Sequence, residues 1–293
     1  MLTERDVRIL AWIGGLGAAG AEHVVGRFAV DSATVYRRLR ALVEEGLLEQ
    51  RQLFYRRPGL YCATRPGLRV CRLDGLGVFR VGPTNFEHSW EVATVAAALA
   101  NGLPGWQVLG EREMSWQERQ RGELLGSVRV SSMEDALALH RPDLVLISPG
   151  GRVVAVEVEL SVKGRARLLK ICRGWGRARH LDAVYYLASR PAAAAVARAV
   201  REMHVEEYVE VLALDGTAAL VTRERLLGGH GPGGHGLGGC ELGGHGLGGR
   251  ELGGHGPGGR ELGGRELGSR ELGDASLGAT ETGREGRVDH GSR

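Results

Sequence analysis

The chain has 293 residues, 43% of them hydrophobic and 5% aromatic, which is enough apolar content for one large or two modest cores. The formal net charge is only +3, yet residues 1–72 hold 12 arginines against seven acidic residues, a surplus that suits a polyanionic partner. Four scattered cysteines without a Cys-x-x-Cys pair exclude a disulfide scaffold, no apolar run nears the roughly 20 residues that span a bilayer, and no signal peptide is visible, so a reduced cytoplasmic protein off the membrane is expected.

Three regions differ in composition. In the first, residues 1–73, Thr3 followed by Asp6 has the spacing of a capping box and opens a helix through Ile13, with glycines between Gly14 and Gly20 expected to break it. Ala21–Phe28 reads as a short second helix. Asp31 or Ser32 caps a third, which runs to about Glu45 before Gly46 and places Val35, Leu39, Leu42 and Val43 on one face. Leu47–Tyr55 and Leu60–Thr64 read as a hairpin around Arg56-Arg57-Pro58-Gly59. Residues 74–84 form a Gly-rich linker.

The region 85–222 opens with a helix over Phe86–Asn101 and a strand over Trp106–Glu113, followed by a polar stretch of unassigned structure over 115–139. Two apolar strands come next, Leu144–Ile147 and Val154–Leu160, split by a turn at Ser148-Pro149-Gly150-Gly151. A basic helix from about Lys163 to Gly174, a strand over Ala183–Ala188, a helix over Pro191–Met203 and a strand over Tyr208–Leu214 complete the pattern of an α/β domain. From residue 226 to 293 a five-residue Gly-Gly repeat takes over, and so much glycine makes ordering costly. A disordered tail is the plain expectation, with weak metal binding through His230, His235, His245 and His255 as the sharper one.

Two sets of residues carry chemistry. On the third helix, Ala33, Thr34, Arg37, Arg40 and Ala41 lie opposite the apolar face, and Arg51, Arg56 and Arg57 crowd the hairpin. Small residues let a helix approach a groove, and arginines reach phosphates or guanine edges. Ser32 to Leu42, then Glu45-Gly46-Leu47-Leu48, then an Arg-rich hairpin resembles a winged helix-turn-helix, which implies double-stranded DNA as partner and Thr34, Arg37, Arg40, Arg51, Arg56 and Arg57 as its contacts.

The second set is acidic. Strand side chains alternate, so Ala155, Glu157, Glu159 and Ser161 share the face opposite Val154, Val156 and Val158. Two carboxylates on one face of a core strand need a cation, a metal or a hydrogen-bond network. Arg141-Pro142-Asp143 ahead of one strand and Glu157 on the next resembles the Mg²⁺-dependent nucleases of the restriction-endonuclease-like fold, PD-(D/E)xK type. The helix, three strands, helix, strand order is that fold's core order. The resemblance implies Asp143 and Glu157 as Mg²⁺ ligands, Lys163 as a charge stabiliser, and Glu91 as a fourth member from the preceding helix. It departs from the pattern at Glu159, where a lysine is expected. The alternative is a structural network in which Glu157 and Glu159 pair with Lys163, Arg165 or Arg167.

Together the winged-helix segment, His88-Ser89-Trp90-Glu91-Val92-Ala93, Arg141-Pro142-Asp143-Leu144-Val145-Leu146 and Val156-Glu157-Val158-Glu159-Leu160-Ser161-Val162-Lys163 resemble the replication-relaxation family of bacterial plasmids and integrative elements, over residues 3–215. That resemblance implies a DNA-binding accessory protein in mobile-element replication or relaxation, with other replication or relaxosome proteins as partners and oligomerisation open. Glu159 in the lysine position favours this over a Mg²⁺-dependent nicking endonuclease using Asp143 and Glu157. A winged-helix transcription regulator is the third reading.

Overall fold

The computed structural model describes residues 2–130 and 138–228. The tail expected over 226–293, with its histidines, lies outside the described residues from 229 onward. Helix α1 spans Glu4–Leu16 and starts at the capping box, where the Thr3 amide donates to Asp6 Oδ2 (2.8 Å) and the Asp6 amide to Thr3 Oγ1 (3.3 Å). Asp6 is fully buried and also takes Nε of Arg38, 2.9 Å away, from α3. Contrary to the expected break, α1 runs through Gly14 and Gly15, whose bare backbone lets neighbouring helices approach. It ends at Gly17, whose φ of 109° only glycine adopts readily. Strand β1 (Ala18–Ala19), α2 (Ala21–Phe28) and α3 (Ser32–Glu44) follow, with Asp31 as the α3 cap, its Oδ1 accepting from the Thr34 amide at 2.8 Å.

Strands β2 (Leu48–Arg51) and β3 (Leu60–Ala63) form the expected hairpin, and β1 pairs antiparallel with β3 to give a three-stranded sheet of order β1-β3-β2. Behind it, α4 (Arg65–Val70) is capped by Thr64, whose Oγ1 accepts from the Gly67 amide at 3.2 Å. Residue 67 must be glycine because a Cβ there would overlap the Leu47 carbonyl oxygen. Ile9, Leu10, Ile13, Val35, Leu39 and Leu42 fill the core under this sheet.

Helix α5 (Phe86–Gly102), β4 (Gln107–Gly110), α6 (Glu111–Arg121), β5 (Val128–Arg129), β6 (Leu139–His140), β7 (Leu144–Ile147), β8 (Val153–Glu159), α7 (Arg165–Arg177), β9 (Ala183–Ala188), α8 (Arg190–Glu202), β10 (Val209–Ala213) and α9 (Thr217–Gly228) complete the described chain. Five strands make one sheet of order β10-β9-β8-β7-β4. Strand β7 is antiparallel to β4 and β8, while β8, β9 and β10 are parallel. The alternation along β8 holds. Val154, Val156 and Val158 pack with Leu99 of α5 and Leu220 of α9. Ala155 packs on the other face with Ile171 and Trp175 of α7 and Val196 of α8. The sheet is thus sandwiched between helices, an α/β architecture. Among the described residues no helix is long and apolar enough to cross a membrane.

One expected strand needs correction. The strand starting near Trp106 stops at Gly110, and Glu111 opens α6. Two acids in the first turn, two arginines in the last and Gly122 at φ 71° all complement a helix.

The two halves belong to one compact unit. Leu76 and Val81 of the bridge 74–84 are buried, and Nη1 of Arg112 in α6 donates to the Gly14 carbonyl at 2.8 Å. The His23 ring of α2 lies 4.5 Å from that of Trp90 in α5. Burial pushes His23 down to about 4, so the ring is neutral. Its Nδ1 accepts from the Gly20 amide (2.8 Å), so the proton sits on Nε2 and is donated to Thr94 Oγ1 at 3.0 Å.

The folded body also extends past residue 222. Glu224 of α9 is fully buried, accepting from Arg152 Nε (2.8 Å) and the Tyr185 hydroxyl (2.7 Å). A chain ending at Leu226 keeps this network, whereas one ending at Thr222 strands the Tyr185 hydroxyl and leaves Arg152 only its more distant pairing with Asp182, at 3.7 Å. The shorter chain is expected to be about 2–4 kcal/mol less stable than the longer, with a thermal midpoint lower by roughly 5–10 °C in a domain of this size. Coincident melts of the two truncations would remove Glu224 from the core.

Candidate nucleic-acid interface and carboxylate cleft

The apolar positions of α3 turn inward, and this leaves Ala33, Tyr36, Arg37 and Arg40 exposed and Thr34 half-buried. Arg37 reaches back to Thr34 Oγ1 at 3.4 Å. Arg38, by contrast, is committed to Asp6 and is structural. Asp6 sits below the usual carboxylate range. Burial opposes ionisation there, but the Arg38 and Thr3 hydrogen bonds outweigh it.

In the hairpin, Arg51 pairs with Glu49 on its own strand at 2.7 Å. Arg57 pairs with Glu87 of α5 and lies over the Phe86 ring at 5.8 Å. Arg56, at φ 60°, covers the Tyr55 ring at 5.2 Å. Arg37, Arg40 and Arg56 therefore have no acidic partner among the described residues, while Arg51 and Arg57 do. Two residues of this surface that the sequence reading passed over are Tyr36, 51% exposed, and Tyr55, 87% exposed. Their signal was an aromatic inside an otherwise polar stretch.

The carboxylates converge on a cleft of about 560 Å³ walled by α5, the segment around β6, the ends of β7 and β8, and the start of α7. Asp143 enters at the start of β7. Its Oδ2 accepts from the Val158 amide and its Oδ1 from His88 Nε2 of α5, both at 2.8 Å. Glu157, 2% exposed, has Oε1 2.5 Å from His140 Nε2, and the His140 ring leans edge-on against Trp175. Glu159 Oε2 lies 2.5 Å from Lys163 Nζ. The angle there is outside hydrogen-bonding geometry, so this oxygen has a charge partner but no hydrogen bond.

The histidine pairings leave an electrostatic mark. The Asp143 hydrogen bond raises His88, against the effect of burial. Burial raises Glu157, opposed by His140. Burial, then the Asp143 charge, raises Glu111, whose amide also donates to the Asp143 carbonyl at 2.9 Å.

Asp143, Glu157, Glu159 and Lys163 thus come together as the sequence suggests, and Glu91 does not. Glu91 lines a separate, mostly apolar cavity of about 900 Å³ with Ser189, Arg190, Leu212 and Asp215. The α5 residue that reaches Asp143 is His88, one helical turn earlier. The purely structural alternative holds for Glu159, which takes Lys163. Glu157 takes a histidine instead, Arg165 turns to Glu202, and Arg167 has no ion pair among the described residues. As arranged, both Asp143 oxygens and one Glu157 oxygen are occupied by protein donors. Among the described residues no group of three His, Cys, Asp or Glu is set to hold a metal ion. The donor set in this arrangement does not fit Mg²⁺, which requires several oxygen ligands in near-octahedral geometry. Comparison with family models, curated proteins and solved structures returns no match to the chain.

Proposed function

We propose that this chain is a DNA-binding accessory protein in which a winged helix-turn-helix docks duplex DNA. One observation carries the reading. The element order α1, β1, α2, α3, β2, β3, with the sheet ordered β1-β3-β2, leaves the arginine face of α3 exposed beside an Arg-rich hairpin. In this reading α3 enters the major groove with Arg37 and Arg40 forward, and Arg56 contacts phosphate.

The second half is read as a restriction-endonuclease-like domain. Support comes from the order α5, β4, β7, β8, α7, β9, with α6, β5 and β6 inserted between β4 and β7, from β7 running antiparallel to its neighbours, and from acids at the start of β7 and on β8 meeting in one cleft. With Glu159 in the position of the expected lysine, and with the acids occupied by His88, His140 and Lys163, a binding role is preferred over hydrolysis. The resemblance to the replication-relaxation family gives the setting: replication or relaxation of a plasmid or integrated element.

The meeting of Asp143, Glu157 and Lys163 in one cleft leaves one second reading, a Mg²⁺-dependent nicking enzyme, in which the two acids would have to release His88 and His140 to take the metal. Incubation of the protein with supercoiled plasmid separates the two. The expected outcome is salt-sensitive retardation of the plasmid, with a slope of about −0.9 per neutralised phosphate, and no nicked circles with Mg²⁺ or Mn²⁺. Nicked circles that disappear in Asp143→Ala would establish the second reading, and no retardation at any salt would remove both.

A further inference from the structure

We propose that the free edge of β10 is a docking surface for a second copy of this chain. The two β10 strands pair antiparallel about a two-fold axis at Val211 and join the two sheets into one.

Three observations carry it. First, β10 is an edge with backbone groups to spare. Among the described residues it pairs only with β9, in parallel. Val184 sits opposite Val209, and the Val184 amide donates to the Tyr208 carbonyl at 2.8 Å. In a parallel ladder of that register the even positions of β10 bond to β9, and the odd positions turn their amides and carbonyls outward. Two outward groups are used locally: the Val209 amide donates to the Val205 carbonyl (2.9 Å), and the Ala213 carbonyl accepts from the Gly216 amide (2.8 Å). The Val209 carbonyl, the Val211 amide and carbonyl, and the Ala213 amide remain.

Second, that remaining set is self-complementary. With Val211 facing Val211 of the second copy, each Val211 amide donates to the other Val211 carbonyl, and each Ala213 amide to the other Val209 carbonyl. The Val209 amide and Ala213 carbonyl, already used, fall opposite each other, so neither is missed. Third, the side chains fit. The even positions Leu212 and Leu214 lie on the α5 and α9 face. The pairing sets Tyr208, 46% exposed, against Leu214 of the second copy, where the mostly apolar cavity of about 900 Å³ is lined by Leu212, Leu214, Val95 and Ala98. Strand β10 carries neither Lys nor Pro, the residues that guard an edge left to solvent. At its ends exposed Glu207 meets Asp215 of the second copy, and Arg190, which lines the cavity with Asp215 and has no ion pair among the described residues, supplies the countercharge.

The test is sedimentation of the full-length protein without DNA over a wide concentration range, so its outcome is independent of the DNA-binding reading. Wild type is expected to pass from monomer to dimer as concentration rises. Ala213→Pro removes an amide that β9 does not use, at an exposed edge position where proline is tolerated. A reciprocal pair of intermolecular hydrogen bonds goes with it, and dimerisation should weaken by about tenfold or more. Tyr208→Lys sets a charge against Leu214 of the second copy and should also weaken the dimer, and it keeps the test if Ala213→Pro does not fold. A protein that stays monomeric at every concentration would overturn the proposal and leave the edge to another segment of this chain or to a different partner. A dimer that neither variant weakens would overturn it too, because the copies would then meet elsewhere.

Discussion

Replacing Glu118 by alanine is expected to destabilise the protein by about 3–5 kcal/mol, because one carboxylate organises a whole turn. Glu118 is buried on α6, and its Oε1 accepts from the amides of Leu125 (2.8 Å), Gly126 (3.0 Å) and Ser127 (2.9 Å). Oε2 accepts from the Ser127 hydroxyl at 2.6 Å. Alanine would strand these donors, two of the amide contacts being fully buried. The loop has no room to rearrange, since a Cβ on Gly126 would overlap Val145 Cγ2 of β7. Strand β7 is the one that Asp143 precedes, so the loss should reach the cleft as well.

Burial opposes ionisation of Glu118, but the Ser127 hydroxyl and the three amides prevail and hold its carboxyl below the usual glutamate range. With a folded pKa below the unfolded one, the contribution is fully present above the ordinary glutamate pKa. It fades as pH falls through the depressed folded value. Denaturant unfolding of wild type and Glu118→Ala at neutral pH and through the acid range checks both parts: a wide gap at neutral pH that closes in acid. A neutral-pH gap under about 1 kcal/mol, the worth of a single hydrogen bond, would show that the loop finds other acceptors.

Much of the fold was legible where a local signal and a packing pattern agreed. Thr3 and Asp6 announced α1, Asp31 announced α3, and the spacing of Val35, Leu39 and Leu42 gave the α3 core face. The alternation along β8 gave both faces of the central strand. The failures have physical causes. Helix α6 carries almost no apolar stripe; it is fixed by Glu118 and Arg112 reaching distant backbone, which periodicity cannot register. Strand β1 is two residues long, too short for an alternation to register, and the six-residue α4 is too short for a helical period. Residues Leu220 and Glu224 of α9 are buried just before the glycine repeats begin, so composition placed the boundary too early.

The same division runs through the cleft. Acids sharing a strand face follow from the period of two, so Glu157 and Glu159 were visible. Their partners were not. His88 lies 55 residues from Asp143 in sequence and His140 lies 17 from Glu157, and only the packing of α5 and β6 against β8 brings them together. Arg165 and Arg167 looked like better partners because they are closer in sequence. They start a helix that directs Arg165 to Glu202 on α8 instead.

Binding of a labelled duplex to the Arg37→Ala, Arg40→Ala double variant tests the central claim most directly. Both arginines are exposed on α3, have no acidic partner among the described residues, and lie off the core face of Leu39 and Leu42. Their removal should therefore leave the melt within about 0.5 kcal/mol of wild type. If α3 lies in the major groove, each lost contact to a base edge costs about 1–3 kcal/mol, and sequence preference relaxes as affinity falls. Arg56→Ala in the hairpin should instead weaken all sequences evenly and flatten the salt slope by about 0.9. Anisotropy titrations of wild type and these variants should show at least a tenfold loss, about 1.4 kcal/mol, for the α3 double variant. An α3 double variant that melts and binds like wild type would contradict α3 as the DNA-reading helix.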